Sequence, residues 1–282
     1  TGADVSATLI GGSLNSARTL ATSSTLGILG GSGLDTIVHS GLSTLTASSQ
    51  ISMISRSLVL GGVASGEAGF AANADSIGID GGSEDDVISI SAGSRLTLDA
   101  GASLSSVASG LSLLGLASSG GIGGSTATAL GVAGGSGNDS ISIAGLIDIG
   151  GTASLTVTAS NFSLLGAVSQ TGRFRSAATA TGAEGGIGND GIAVAGTGTV
   201  SALATANYAA SGLSVVGAAS TEASVGANAR ALGLGGGSGN NSITLDSSSP
   251  ARFSVLARAD SSLASGSSVF LGAAASNGAA SS

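Results

Sequence analysis

The chain lacks the residues that usually hold a thick globular core together. Its 282 residues include no Cys, no Trp and no Lys, a single Pro, five Phe and one Tyr. The absence of Cys excludes disulfide bonds, and the few aromatic side chains exclude a core built on bulky rings. Val, Ile, Leu and Ala remain, so we expect a thin core in which the walls approach closely.

Charged residues are also scarce, at 9% of the chain, whereas hydrophobic residues make up 42%. This balance argues against disorder, which usually accompanies few aliphatic residues and high charge. The 50 Gly residues do not follow the every-third-residue pattern of collagen, which also needs abundant Pro. A folded chain rich in turns is therefore expected.

The net charge is −8, and Arg is the only strongly basic residue, so the chain is a poor match for anionic partners. Nucleic acid and anionic membrane surfaces are both bound through clustered cations, so neither is an expected partner. No apolar run reaches the roughly 18 residues of a membrane span. His39 is the only histidine, and we expect it at a surface or turn-flanking position on a strand rather than in a catalytic site. The sequence thus predicts a protein that is not an enzyme.

A glycine doublet followed by a short turn and an apolar residue recurs at a nearly constant spacing. The doublets begin at Gly30, Gly81, Gly134, Gly185 and Gly236, so their spacings are 51, 53, 51 and 51. This period predicts a repeat array, which we divide into a partial unit 1–29 and units 30–80, 81–133, 134–184, 185–235 and 236–282. The chain begins at Thr1 without Met, so we expect it to be part of a longer protein.

A second marker keeps step with the first. An apolar pair precedes Gly in each unit, as in Val59-Leu60-Gly61, Leu113-Leu114-Gly115, Leu164-Leu165-Gly166 and Val215-Val216-Gly217. The interval from this Gly to the next doublet is the same in four cases, and it is one position longer from Gly61 to Gly81. Two markers in register make chance similarity a poor explanation of the repeat.

Within a unit the apolar residues alternate with Ser and Thr, as in Ser140-Ile141-Ser142-Ile143. Alternation indicates half-buried strands, and the Gly and Asn-Asp clusters supply the turns. We therefore predict an all-β fold, a β-solenoid (β-roll or β-helix) of about five units of about 51 residues. A unit of 51 residues also divides into three stretches of 17, such as 134–150, 151–167 and 168–184, which favours three coils per unit. At a strand spacing of about 4.8 Å, some 16 coils would form a rod of about 80 Å. A stack of β-hairpins or a β-sandwich array is the main alternative.

The doublet segments carry a family resemblance. Gly134 to Ser142 matches the pattern Gly-Gly-x-Gly-x-Asp-x-apolar-x, and the segment is similar to the calcium-binding nonapeptide of RTX (repeats-in-toxin) proteins. That resemblance implies Ca²⁺ as a cofactor, held by an Asp and by backbone carbonyls. The implied ligands are Asp35, Asp86, Asp139 and Asp190, and the acidic run Glu84-Asp85-Asp86 is the best single candidate for a calcium site.

One feature departs from that family. Only one such segment occurs per unit, so three coils per unit would place neighbouring Asp residues about 14 Å apart and prevent them from sharing an ion. The alternative is a structural turn in which Asp or Asn bonds its own backbone. Both interpretations stand at the level of the sequence.

The chain is also similar to large secreted bacterial β-solenoid surface and adhesin proteins. We therefore expect an extracellular or cell-surface structural protein, a subunit or segment of a filament, surface layer or adhesin stalk, whose partners are copies of itself. The alternatives are a calcium-dependent secreted RTX-type module, a β-helix polysaccharide-active enzyme and an ice-binding protein with rows of Thr. Glycans on Ser, Thr or Asn, the last in tripeptides beginning at Asn138, Asn161 and Asn240, are a further expectation.

Overall fold

The computed structural model describes residues 2–9, 13–246 and 252–282, which form strands and turns and include no helix. It accordingly offers no helix that could cross a membrane in these ranges. The strands are β1 (Gly2–Leu9), β2 (Ser13–Ser32), β3 (Thr36–His39), β4 (Leu42–Val59), β5 (Gly62–Ser83), β6 (Val87–Ile90), β7 (Arg95–Ser136), β8 (Ser140–Ile143), β9 (Leu146–Ile187), β10 (Gly191–Val194), β11 (Thr197–Gly235), β12 (Ser242–Leu245) and β13 (Arg252–Ser281).

All pairings between these strands are parallel and follow the order of the sequence. The short strands form a sheet in the order β12-β10-β8-β6-β3, and the long strands form the other sheet. Ile141 pairs with Ile88 on one side and Ile192 on the other, and Gly135 pairs with Gly82 and Gly186. The doublets therefore line up along one axis. The all-β prediction is confirmed, the stacking is consistent with a β-solenoid, and the parallel pairing contradicts a stack of hairpins.

The register corrects the size of a coil. Ser154 pairs with Thr205, its counterpart in the next unit, so neighbouring strands are separated by a whole unit of sequence. The prediction of three coils per unit is wrong, because no chemical marker recurs at a third of the unit and only the arithmetic of the period suggested it. One unit is one winding. The rod of about 80 Å becomes a stack of about five windings, roughly 24 Å long.

Each winding is flattened, with two arms that face one another. Ser176 Oγ donates to the Ala153 carbonyl at 2.9 Å, and Asn161 Nδ2 donates to the Ser169 carbonyl at 3.3 Å. The chain therefore reverses direction between residues 161 and 169, and we call this reversal, with its counterparts in the other windings, the bend. The arms bring the inward side chains of one winding together as a thin core.

The apolar pair and its glycine lie at the bend. Gly166 has a φ of 140° and stacks on Gly115 and Gly217, which have φ of 127° and 138°. In the second unit the structure pairs Gly62, not Gly61, with Gly115. The sequence-based prediction assigned Gly61 to this position, which is one residue too early. With Gly62 in place, the interval to the doublet at Gly81 equals that of the other units.

The core follows the predicted alternation. In β8 and the start of β9, Ile141, Ile143, Ile147, Ile149 and Leu155 are fully buried, while the Ser and Thr residues between them face outward. Small side chains fill the rest of the narrow space, since Ala is the commonest buried residue type in the main cluster. A second, smaller cluster at the bend contains Ala117, Val168 and Ala219.

Three of the six aromatic side chains come together in this core. The rings of Phe70 and Phe174 are stacked at 6.1 Å, and Phe174 stacks on Tyr208 at 4.9 Å. Phe70 and Phe174 occupy the same position two windings apart, and the winding between them has Gly123 there. A side chain at Gly123 would collide with the Phe70 ring. The missing side chain therefore makes room for the stack.

Candidate functional site

The turns after the glycine doublets bring the predicted ligand residues into one column. Asp139 lies directly before β8, at the end of the turn that follows Gly134. Because the windings are in register, its counterparts lie above and below it at about the 4.8 Å strand spacing, not at the roughly 14 Å expected for three coils. We call this column the aspartate ladder; its members are Asp35, Asp86, Asp139, Asp190 and Asn241.

Each member of the ladder after Asp35 accepts a hydrogen bond from the backbone of the preceding winding. The N–H of Asp35 donates to Asp86 Oδ1 at 2.8 Å, that of Asp86 to Asp139 Oδ1 at 2.8 Å, and that of Asp139 to Asp190 Oδ1 at 2.9 Å. The N–H of Asp190 donates to Asn241 Oδ1 at 2.7 Å. The structural-turn hypothesis expected bonds to the residue's own backbone. The structure instead shows bonds that tie consecutive windings together.

The residue before each ladder position builds a second column in the opposite direction. The N–H of Asn138 donates to Asp85 Oδ1 at 2.7 Å, that of Asn189 to Asn138 Oδ1 at 3.0 Å, and that of Asn240 to Asn189 Oδ1 at 2.9 Å. This asparagine ladder is exposed, whereas the interior of the aspartate ladder is buried. The Asn-Asp dipeptides of the repeat thus serve both neighbouring windings.

The second carboxylate oxygens of the aspartate ladder are buried without a hydrogen-bond partner. This holds for Oδ2 of Asp35, Asp86, Asp139 and Asp190. Each of these oxygens lies close to the first glycine of its doublet. For example, a Cβ added to Gly134 would come within 2.6 Å of Asp139 Oδ2, so a side chain does not fit there. Burial raises the pKa of Asp139, and the neighbouring carboxylates of Asp190, Asp86 and Asp85 raise it further, against a lowering by the bond from the Asp86 backbone. The folded chain therefore holds this proton to a higher pH than free Asp does.

The ladder leaves few carboxylate oxygens free to bind a calcium ion. Calcium takes six to eight oxygen ligands. Here Oδ1 of Asp86, Asp139 and Asp190 already accepts a backbone bond, and Oδ2 is packed against glycine. In the run proposed as the best site, Asp86 is buried, Asp85 belongs to the exposed ladder and Glu84 is exposed at the turn. Within the described ranges no three His, Cys, Asp or Glu side chains come close enough to hold a metal.

No family model, curated protein or solved structure matches this chain. The likeness to RTX proteins accordingly remains a resemblance of the five doublet segments.

His39 and Asn161 lie inside the fold. His39 ends β3 and so flanks a turn, which is one of the two expected positions, but it is buried and not at the surface. It pairs with Ile90 of the next winding, and its Nε2 lies 2.9 Å from Ser43 Oγ. Its register position is an inward one, which the alternation in Thr36–His39 already indicated.

Asn161 is buried, and its Nδ2 donates to Ser119 Oγ as well as to the carbonyl of Ser169, which withdraws this nitrogen from glycan attachment in the folded chain.

Glu84 offers a first prediction, because it stands where other windings have Gly33, Gly137 and Gly188. Its φ of 78° lies in the left-handed region, which costs a residue with a side chain on the order of 1 kcal/mol or more. We expect Glu84→Gly to raise the free energy of unfolding by about 1 kcal/mol in urea titrations. Glu67→Gly, at an exposed strand position, serves as the control and should lower it by about 0.5–1 kcal/mol. Equal effects of the two changes would contradict the assigned turn.

Asp139 predicts an unusual pH dependence. A carboxyl whose pKa is raised on folding binds more protons in the folded than in the unfolded state, so its contribution to stability is lost as the pH rises through the folded pKa. The contribution of Asp139 to stability should therefore increase on acidification from pH 7 toward the ordinary Asp value of 3.8. Asp139→Asn copies the natural Asn241 and should stabilise the chain by about 1–2 kcal/mol at pH 7, with a shallower slope. Thermal unfolding at several pH values measures both, and Asp260→Asn on the exposed last winding is the control. A slope unchanged by Asp139→Asn would contradict this role of Asp139.

Calcium removal gives a third prediction. Because the carboxylate oxygens of the ladder are already engaged or packed against glycine, we expect the far-ultraviolet circular dichroism and the thermal midpoint to be the same with ~5 mM EGTA and with ~5 mM CaCl₂. A calcium-dependent gain of strand signal that Asp139→Asn abolishes would support the RTX-type interpretation instead.

Proposed function

We propose that the protein is an extracellular structural protein, a subunit or segment of a filament, surface layer or adhesin stalk, which grows by stacking windings end to end. The proposal includes no catalytic role. It is supported by the way every described winding is held: backbone bonds and side-chain ladders run along the axis, and the outward faces present Ser and Thr with few charges. Such a stack transmits load along its axis through many parallel hydrogen bonds.

The observation that carries the proposal is the open core of the last described winding. Ile243 is 44% exposed, whereas Ile192, its partner one winding earlier, is 2% exposed. Leu245 likewise is 56% exposed, against 1% for Val194. These side chains have the identity and register of core residues and lack only a further winding to cover them.

The edges are open as well. β13 pairs with β11 on one side only among the described strands, so a row of backbone N–H and C=O groups is left for another strand. The first winding is similar, since Ile28 is 37% exposed while its partner Ile79 is fully buried. Repeat arrays usually present polar side chains at their edges, whereas the described edges here present Ile28, Ile243 and Leu245. Another copy of the chain has the matching pitch and pattern at both edges.

Electron microscopy of the purified protein tests this function. We expect rods several times longer than the roughly 24 Å of one chain. Leu245→Lys places a charge on the open core and should leave single short particles, because an inward charge blocks strand addition. Thr244→Lys, one residue away on the outward face, is the matched control and should keep the rods. Wild-type protein that stays short and monomeric at high concentration would overturn the proposal.

A further inference from the structure

The outer side of the bend carries an apolar stripe that the end-to-end stacking does not use. We call it the bend ridge and define it by the outward side chains of residues 58–63, 111–116, 162–167, 213–218 and 268–273. Leu113, Leu114, Leu164 and Leu165 are each between 38% and 52% exposed. The largest apolar patch of a typical monomer covers roughly 300–600 Å² and often marks an interaction site. The ridge is therefore a candidate interaction surface.

The ridge is continuous along the axis because the bend is in register. Leu114 stacks on Leu165, Leu165 on Val216, and Val216 on Leu271. The inward positions at the bend are already taken, since Ser163 is fully buried and its Oγ donates to the Gly115 carbonyl at 3.3 Å. Two consecutive apolar residues cannot both point inward on an extended chain. At least one residue of each apolar pair is thus directed outward, and Leu114, Leu165 and Val216 are all partly exposed in successive windings.

No Asp, Glu, Lys, Arg or His occurs in any of the five segments of the ridge. A partner held by ion pairs is therefore excluded at this surface. A membrane surface is also a poor occupant, because interfacial segments combine their apolar face with Lys and Arg, and the chain carries a net charge of −8. The chemistry calls for an uncharged apolar surface with a matching shape.

We propose that the bend ridge pairs laterally with the bend ridge of a second copy of this chain. Its rows of leucine repeat at the winding spacing of about 4.8 Å, and a second copy carries rows of the same pitch that fit between them. Five rows of roughly 15 Å width cover on the order of 350 Å², less than half of the ~800 Å² per partner in a stable interface. Single chains therefore pair weakly. The pairing strengthens as stacking lengthens the ridge, and to that extent it rests on the proposed function.

The test measures lateral pairing, which sets the width of a rod, separately from end-to-end stacking, which sets its length. The ridge variant Leu113→Ser/Leu164→Ser/Leu165→Ser removes three exposed leucines from the ridge. The control variant Ile122→Ser/Ile187→Ser/Leu203→Ser removes three exposed aliphatic side chains elsewhere. Sedimentation velocity over a concentration series measures pairing of short particles, and electron microscopy measures the width and length of rods. We expect at least tenfold weaker pairing and rods of single width for the ridge variant, and wild-type behaviour for the control.

Each outcome decides the matter. Wild-type particles of single width at all concentrations, or equal pairing by the ridge variant, overturn lateral pairing while leaving end-to-end growth intact. Paired particles that never lengthen overturn the proposed function and leave the ridge assignment standing. Ridge-dependent binding to phosphatidylcholine vesicles without pairing of copies would overturn the proposal in favour of a lipid surface.

Discussion

Gly166→Ala is expected to destabilise the protein by more than about 3 kcal/mol, or to prevent folding. Gly166 has a φ of 140°, a region that L side chains rarely adopt, and a Cβ there would overlap the carbonyl oxygen of Gly115 in the neighbouring winding. Backbone strain of this kind costs about 1–3 kcal/mol, and overpacking adds about as much. The obstacle is backbone, so no side-chain rotation relieves it. Urea unfolding followed by circular dichroism measures the loss.

Gly101→Ala is the matched control. The same register position holds Ser48, Thr152 and Leu203 in other windings, and the space around Gly101 is open. We expect no loss, and a gain of up to about 1 kcal/mol, because Ala has less freedom in the unfolded chain. Similar effects of the two substitutions would mean that the bend glycines are not stacked as described.

Phe174→Ala is expected to lower the free energy of unfolding by about 3–5 kcal/mol, the usual range for deleting a buried aromatic ring. Phe174 lies between Phe70 and Tyr208, so its loss removes both ring contacts and leaves a cavity. With so few large side chains in the chain, the thin core has little with which to refill that space. Near-ultraviolet circular dichroism should show the loss of the Tyr208 signal alongside the change in stability.

Phe270→Ala is the control for the deletion, because Phe270 is largely exposed at the bend of the last winding. A change within about 0.5 kcal/mol is expected there. If Phe174→Ala were equally mild, the three rings would not form a stacked cluster in solution. Tyr208 adds an independent check: burial raises its pKa to about 12, so a spectrophotometric titration should ionise it well above the ordinary value of 10.0.

The architecture could be predicted from the sequence because its signals are local and repeated. The alternation around Ile141 and Ile143 indicates a strand with one buried face, and the spacing of the doublets indicates which strands are equivalent. The same spacing also equals the number of residues in one winding. In a parallel stack the residues that pair are the ones that look alike, so Gly135 pairs with Gly186 and not with a residue a third of a unit away.

The aspartate ladder was only partly predictable. The Asp residues were identified as special, but both sequence hypotheses placed their bonds within one turn. Once a winding is taken as a whole unit, the recurrence of Asn and Asp at the same two positions predicts side-chain ladders between windings, as in stacked parallel strands. The direction of each bond and the burial of Oδ2 depend on the path of the turn, which the sequence does not specify.

The aromatic stack and the bend ridge were missed for a related reason. Phe70 and Phe174 are far apart in the sequence, and only the register shows that Gly123 separates them in the same column. The apolar pair before Gly was recognised as a marker of the repeat. That this pair breaks the alternation of inward and outward residues was not recognised. Two adjacent leucines require at least one to face outward, which was the available signal for the ridge.

Cysteine cross-linking tests the winding directly, since the chain has no Cys of its own. Ser154 and Thr205 are paired in neighbouring windings, and strands about 4.8 Å apart are within reach of a disulfide. Ser154→Cys/Thr205→Cys should oxidise rapidly to an intramolecular disulfide. Ser154→Cys/Thr171→Cys, whose two positions are a third of a unit apart and lie on opposite arms, should not. Rapid cross-linking of the second pair and none of the first would contradict a winding of one whole unit.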